Sequence, residues 1–427
     1  MKELIGAFVF WYPYLMSMFW IAGVIVYLGT KERSEELNKE EYEWPPITIL
    51  LPCYNEEDTA AETIDYLSKL SYPNFEIIAI NDGSKDKTGD ILIELADKYP
   101  NLRVIDCKEN KGKANALHMG AHASRYEYLV CIDSDAILDD DAPYYMVRQF
   151  LRNGERVGAV TGNPRIRNRD TLLGKLQLVE YASIIGSIKR TQRVLGKLMT
   201  VSGVVVTYRK KALVSVGLWD RDMITEDIAV SWKLQKEFWD LRYEPKALCW
   251  MLVPEKISSL CNQRIRWAQG GQEVLLRHWD IFKDWRQRRL WPLYIEQLLS
   301  IIWAVLWLGF TIYTFITATH TGQFVIWLGI SAFALTFQSI IQLGLSLITD
   351  SNYDDVSIGC LSVAWYPVAY WIINTYVAIR AIPRAIKSKI KGGYATWESP
   401  DRGERKELEE VSEEKDVREQ EKEIHSI

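Results

Sequence analysis

The sequence predicts an α/β domain on a parallel sheet, carried between membrane helices at both ends of the chain. Three observations lead there. From Ile47 to Ile132 short apolar runs alternate with amphipathic ones, the pattern of a parallel sheet with helices on both faces. The polar clusters of that stretch fall at the ends of the apolar runs, where open α/β sheets bind ligands. Uncharged stretches at the start and near the end of the chain are each long enough to cross a bilayer, which takes about 20 residues.

Leu4 to Leu28 carries no charged residue and includes Trp11, Trp20 and Tyr27. Trp and Tyr favour the bilayer interface, and a signal peptide would show a shorter apolar core and a cleavage site. Residues 1–30 therefore read as an anchor. Residues 31–46 are a charged linker closed by Pro45-Pro46. Within the central domain, residues 47–271, strands are predicted at Ile47–Leu51, Glu76–Ile80, Leu102–Ile105 and Tyr128–Ile132. Helices are predicted at Ala60–Leu70, Thr88–Lys98 and Lys113–Ala123.

Thr171–Leu195 reads as a helix with Leu172, Leu176, Val179 and Ile188 near one face and Lys175, Lys189, Arg190 and Arg193 elsewhere. Gln272–Arg289 sets Leu275, Trp279, Phe282 and Trp285 at helical spacing among Arg277, Lys283, Arg286, Arg288 and Arg289. Basic, Trp-rich amphipathic helices lie in membrane interfaces; the plainer reading is a surface helix on the domain core. A span follows the second directly, which makes residues 272–291 an interface helix; for the first, both readings stand. Leu298–Ala318, Phe324–Ile348 and Val356–Ile379 read as three spans within residues 292–382. One amino-terminal span and three more would put the tail opposite the domain. Yet Arg380, Arg384, Lys387, Lys389 and Lys391 follow the last one, and basic residues favour the cytosol. The tail, residues 383–427, is charged and poor in apolar residues beyond Asp401, a composition of disorder or a frayed helix.

A net charge of −5 gives no reason to propose nucleic acid as a partner. The six cysteines are scattered without a Cys-x-x-Cys pair, which predicts no disulfide framework and a reducing cytosol around the domain.

The chemistry centres on Val130-Cys131-Ile132-Asp133-Ser134-Asp135. An apolar strand ends in two carboxylates one residue apart, which repel until a divalent cation relieves them. Hard oxygen donors select Mg2+ or Mn2+, ions that share their coordination with phosphates. Solvated turns also contain Asp-x-Asp, so the neighbours decide. Asp82, at the end of the second strand, suits an imide N–H or simply closes the Asp82-Gly83-Ser84 turn. Thr225-Glu226-Asp227 reads as an N-capped helix start and equally as a placed carboxylate base. Gln263-Arg264-Ile265-Arg266-Trp267 offers guanidinium forks for a pyrophosphate and an indole face for a sugar; alone it is a basic helix start.

Taken with Pro52-Cys53-Tyr54-Asn55-Glu56 and Asn81-Asp82-Gly83-Ser84, these clusters resemble, in order and spacing, the processive members of glycosyltransferase family 2. That family includes cellulose, chitin, hyaluronan and poly-N-acetylglucosamine synthases. Val160-Thr161-Gly162-Asn163-Pro164-Arg165, Ile188-Lys189-Arg190-Thr191-Gln192, Trp267-Ala268-Gln269-Gly270-Gly271 and Ser399-Pro400-Asp401-Arg402-Gly403 look like the poly-N-acetylglucosamine branch. The resemblance runs from the first span to Gly403. It implies a GT-A (Rossmann-like) domain with transmembrane helices at both ends, facing the cytosol from a bacterial cytoplasmic membrane. It places Tyr54, Glu56 and Asp82 on the nucleotide, with Lys113 beside nucleotide or diphosphate. Ser202, Gln263, Arg264 and Arg266 fall around the donor, and Glu226 and Trp267 toward the acceptor. Asp133 and Asp135 would hold the metal on the donor diphosphate, and Asp227 would act as general base. Direct displacement from α-linked UDP-N-acetylglucosamine then gives a β linkage, and the β-1,6 choice comes from the resemblance. The implied partners are UDP-N-acetylglucosamine, the growing polysaccharide, membrane lipid and a small membrane subunit. The alternatives are a hyaluronan-, chitin- or cellulose-type synthase, a single-addition lipid-linked transferase, and an inactive export scaffold.

Overall fold

Helix α1 (Lys2–Thr30) leads into a mixed sheet in this computed structural model, which describes residues 2–32, 36–317, 321–357, 366–391, 393 and 395. In chain order come β1 (Ile47–Cys53), α2 (Ala60–Ser68), β2 (Phe75–Asn81), α3 (Thr88–Lys98), β3 (Leu102–Asp106), α4 (Lys113–Ala123) and β4 (Tyr128–Ile132). Then follow β5 (Ala136–Leu138), α5 (Ala142–Asn153), β6 (Val157–Ile166), α6 (Leu172–Tyr181), a π-helical turn (Ala182–Ile188) and α7 (Lys189–Val194). The domain closes with β7 (Val205–Arg209), α8 (Lys210–Ser215), α9 (Glu226–Lys236), β8 (Asp240–Met251) and α10 (Ile257–Arg277). Two 3-10 turns, Trp279–Lys283 and Trp285–Gln287, lead to α11 (Trp291–Thr317), α12 (Thr321–Asp350) and α13 (Tyr366–Lys391).

The sheet has eight strands in the order β3-β2-β1-β4-β7-β6-β8-β5. Its first four are parallel, as the β/α alternation predicts. The second half is mixed: β7 runs antiparallel to β4 and β6, and β5 antiparallel to β8. Every residue of β1 is buried, which is why a central strand reads as a continuous apolar run. In α2 the buried residues Ala60, Thr63, Ile64 and Leu67 fall on one face at helical spacing.

One expectation changes and two gain detail. The helix expected over Gln272–Arg289 is absent; α10 completes its last turn at Arg277 and 3-10 turns follow. Trp279, Phe282 and Trp285 stand exposed there, and their spacing of three is the 3-10 period. The Thr171–Leu195 stretch is helical, but Lys189, Arg190 and Arg193 point inward and are buried; it packs between β6 and helices α1 and α12 rather than offering a basic face. The end of the linker packs on the domain: Trp44 is buried against Tyr72 and Tyr144, and Arg152 holds Glu41 at 3.0 Å.

Among the described residues, Lys2–Thr30 and Trp291–Thr317 are long and apolar enough to cross a membrane. Phe324–Ile348 lies within α12. The expected span Val356–Ile379 falls partly on residues 358–365, outside the described residues. Its helix runs on to Lys391, and Ile373, Val377 and Ala381 pack on Ile265 and Ala268 of α10. Lys389 Nζ donates to Leu276 O, so the basic half of α13 lies beside the domain. Residues 396–427, with Ser399–Gly403 and the charged tail, lie outside the described residues, as does Cys360.

Candidate active site

The parallel strands deliver their loops to one edge, where side chains stitch them together. Asn55, at φ 54°, gives its N–H to Ser84 Oγ and takes the Lys85 N–H on Oδ1. Asn81, not Asp82, closes the glycine turn, accepting the Ser84 N–H. Asp82 reaches across instead: its oxygens accept the N–H groups of Lys111 and Gly112 at 3.1 and 2.8 Å. Burial pushes its carboxyl up, against the pull of those amides. Gly83 is required here, because a Cβ would lie 2.6 Å from Asn110 N, at a φ of +69°. Tyr54 is partly exposed past the end of β1, while Glu56 is buried and takes the Thr59 hydroxyl at 2.6 Å.

Lys113 begins α4 and is the centre of a cluster of charged side chains at the strand ends. Its ammonium lies 2.5 Å from Asp133 Oδ1, 3.2 Å from Glu226 Oε1 and 3.2 Å from Gly203 O. Burial works against that charge, but Asp133, Glu226 and Asp227 together hold its pKa above the usual lysine range. Asp135 is buried just beyond β4.

Both oxygens of Asp227 are held by backbone, Oδ2 by Gly203 N–H at 3.1 Å and Oδ1 by Ile228 N–H at 2.9 Å. Burial first, then Glu226 beside it, pushes the carboxyl up to about 6, while Lys113 opposes. Gly203 permits the approach, since a Cβ there would come 3.2 Å from Asp227 Oδ2 and 3.4 Å from Lys113 Nζ. Ser202 gives its N–H to Thr161 Oγ1 at 2.8 Å. Thr225 occupies the N-cap of α9, yet its hydroxyl makes no cap bond. It is pressed instead against Gly270 of α10, where a Cβ would sit 1.7 Å from its Oγ1.

Helix α10 brings the last cluster. The two arginines separate here: Arg264 is buried and grips Glu180 of α6 with both arms, at 2.9 and 2.8 Å. Its guanidinium also lies 4.0 Å from the Trp267 ring centroid, and Tyr181 meets that ring at 6.3 Å. Gln263 is buried and accepts from Arg264 at 2.5 Å. Arg266 and Trp267 are only partly covered. Glu273 on the same helix accepts the Ile224 N–H at 3.3 Å, which ties α10 to the segment ahead of Asp227.

The donor set fits a divalent ion. Asp133 and Asp135 supply hard oxygens, and three carboxylates face one ammonium at Lys113. Among the described residues no group of three or more His, Cys, Asp or Glu gathers as a metal site. Two carboxylates suit Mg2+ or Mn2+ completing its coordination with phosphates and water.

The model of Glycosyl transferase family 2 matches residues 48–217. A Staphylococcus epidermidis protein named poly-beta-1,6-N-acetyl-D-glucosamine synthase is 47% identical over 407 residues, 93% of this chain and 98% of the relative. The chain belongs to glycosyltransferase family 2. A Staphylococcus aureus protein of the same name is 48% identical over 409 residues, again 93% of this chain and 98% of the relative. Among solved structures, the mannosyltransferase PcManGT from Pyrobaculum calidifontis, in complex with GDP-Man and Mn2+, superposes with a TM-score of 0.61. It is 17% identical, covering 91% of this chain and 100% of that one. That likeness shows the fold: this family 2 enzyme has a GT-A-like α/β domain on a mixed sheet.

Sequence reasoning missed Glu180, Thr161 and Glu273. Each acts on a partner far along the chain, such as Glu180 on Arg264, 84 residues away, which local spacing does not reveal.

Proposed function

We propose that this glycosyltransferase polymerises N-acetylglucosamine from UDP-N-acetylglucosamine into β-1,6-linked poly-N-acetylglucosamine. It works at the cytosolic face of a bacterial cytoplasmic membrane and passes the chain outward through its helices. The observation that carries the chemistry is the convergence of Asp133, Glu226 and Asp227 on Lys113. The product is taken from relatives named for it that match almost end to end.

Asp227 accepts the proton of the growing chain's 6-hydroxyl as that oxygen attacks the anomeric carbon. The bond to the UDP oxygen breaks on the opposite side, so an α donor yields a β product. Asp133 and Asp135 would hold a divalent ion, which supplies positive charge to the departing diphosphate. Lys113 adds its charge there and keeps Glu226 turned inward. Arg266 reaches the diphosphate, while Arg264 acts indirectly by backing Trp267, whose other face takes an acceptor sugar. Tyr54, Glu56, Asp82, Ser202 and Gln263 border the donor. Membrane lipid surrounds the helices, and a small membrane subunit is the expected protein partner.

Membranes bearing the protein, given labelled UDP-N-acetylglucosamine with Mg2+ or Mn2+, should release UDP and build a polymer whose linkage analysis gives β-1,6. A β-1,4 product, or UDP-glucose as the better donor, would overturn the product. Undiminished release after complete chelation would overturn the metal role.

A further inference from the structure

A lysine that this reaction scheme leaves unused lies behind the cleft. Lys189 is 5% exposed, at the point where the π-helical turn passes into α7. Its helix neighbours are cations as well. Arg190 meets Asp350 and Glu32, and Arg193 meets Asp240. Lys189 has no carboxylate at ion-pair distance among the described residues; its Nζ donates to Thr161 Oγ1 at 3.3 Å. A buried ammonium so poorly matched is costly. Burial pushes it down to about 7, with the field of Asp227 opposing.

The hydroxyl it touches is a junction. Thr161 Oγ1, on β6, has one hydrogen and two lone pairs. It accepts from Lys189 Nζ and, at 2.8 Å, from Ser202 N–H, which leaves its hydrogen for Val205 O at 3.4 Å. Two donors on its lone pairs fix which way that hydroxyl faces. Ser202 O in turn accepts the Val205 N–H at 3.2 Å, closing the turn whose Gly203 N–H holds Asp227 Oδ2. The π-helical turn explains how Lys189 gets there, since an extra residue in a helical turn rotates the residues after it, and such turns recur at functional sites.

We propose that Lys189 is a positioning residue for Asp227: through Thr161 and the Ser202–Gly203 turn it aims the carboxylate, and its positive field favours the ionised base. The inference rests on the reading of Asp227 as the base. Among the described residues, the charged groups facing Asp227 are Glu226 on its own helix, Lys113 from α4 and Lys189 from α7, and the one facing Lys189 is Asp227.

The test uses the full chain in membranes, with UDP release followed against pH for Lys189→Met, Lys189→Arg, Thr161→Val and the Lys189→Met/Thr161→Val pair. Lys189→Met should lower kcat about tenfold or more through misplacement of the base, with the donor KM within about twofold. The acid limb of its pH profile should move to higher pH, because the carboxylate loses a cation. Lys189→Arg should recover rate, and the pair should be no slower than the slower single variant, since both act through one hydroxyl. An unchanged kcat and acid limb in Lys189→Met, or additive losses in the pair, would overturn the inference. Should Lys189→Met fail to fold, Thr161→Val alone decides, because an unmoved kcat there removes the junction. Asp227→Asn run alongside separates the two readings: if it keeps transfer, the base assignment itself falls.

Discussion

At the seam between sheet and helices, Arg165 and Arg190 share Asp350, at 2.8 and 3.0 Å, and Arg190 takes Glu32 at 2.6 Å. At the strand ends, Lys113 faces Asp133, Glu226 and Asp227. The two clusters differ in balance and in access. The seam sets two guanidiniums against two carboxylates and is shut, with the Asp350 side chain 1% exposed. The cleft has an excess of negative charge and is open, with the Asp133 side chain 30% exposed. Crowded carboxylates oppose one another's ionisation, a cost without benefit in a purely structural cluster. An unbalanced cluster that stays open is organised around something that arrives; a balanced, closed one holds parts together.

Four measurements would break or sharpen that contrast. Asp227→Asn should cut UDP release about 10²–10⁴-fold, the range for removing a general base, with the thermal midpoint little changed, because the lost repulsion with Glu226 offsets the backbone N–H that an amide nitrogen cannot accept. A lowered midpoint instead would make the cleft structural, like the seam. Asp350→Ala should do the reverse. It leaves the buried Arg165 without its carboxylate and Arg190 with Glu32 alone, which costs about 3–5 kcal/mol, seen as a lower unfolding midpoint in detergent, while the folded fraction keeps its kcat. Third, the base must be ionised, and Asp227 is raised to about 6. The rate should therefore hold above that pH and fall as pH drops through it, approaching about tenfold per unit; a flat profile down to about 4, near the ordinary carboxylate range, would remove Asp227 as the base. The smallest effect is expected at Thr225. Its buried hydroxyl has no described partner, so Thr225→Val should change stability by less than about 1 kcal/mol or improve it. Losing a working N-cap would cost about 1 kcal/mol, and chemical denaturation distinguishes the two.

The parallel half of the domain was legible because its central strands β1 and β4 are largely buried, mainly apolar runs that stop at their polar loops, as at Ile132 before Asp133. The mixed half was not. The pairing of β6 with β8 joins Val157 to Asp240, a match that no local period announces. Within the site, the convergence of Asp133 and Asp227 was expected from motif order, but the ammonium between them was expected only near the nucleotide. Arg264 was assigned to phosphate because a guanidinium fork fits phosphate and carboxylate equally; only the fold shows that Glu180 takes it. For Lys189, Arg190 and Arg193 the sequence offers only a place away from the apolar face, with interface and core packing both open; the π-helical turn shifts the phase and turns them inward.

The seam has a mechanical consequence. Because α12 is bolted to β6 and α7 through Asp350, and α10 to α13 through Gln272 Nε2 donating to Ala378 O, a rocking of the whole domain against its helices would have to break buried bonds. The wrist of this molecule is locked.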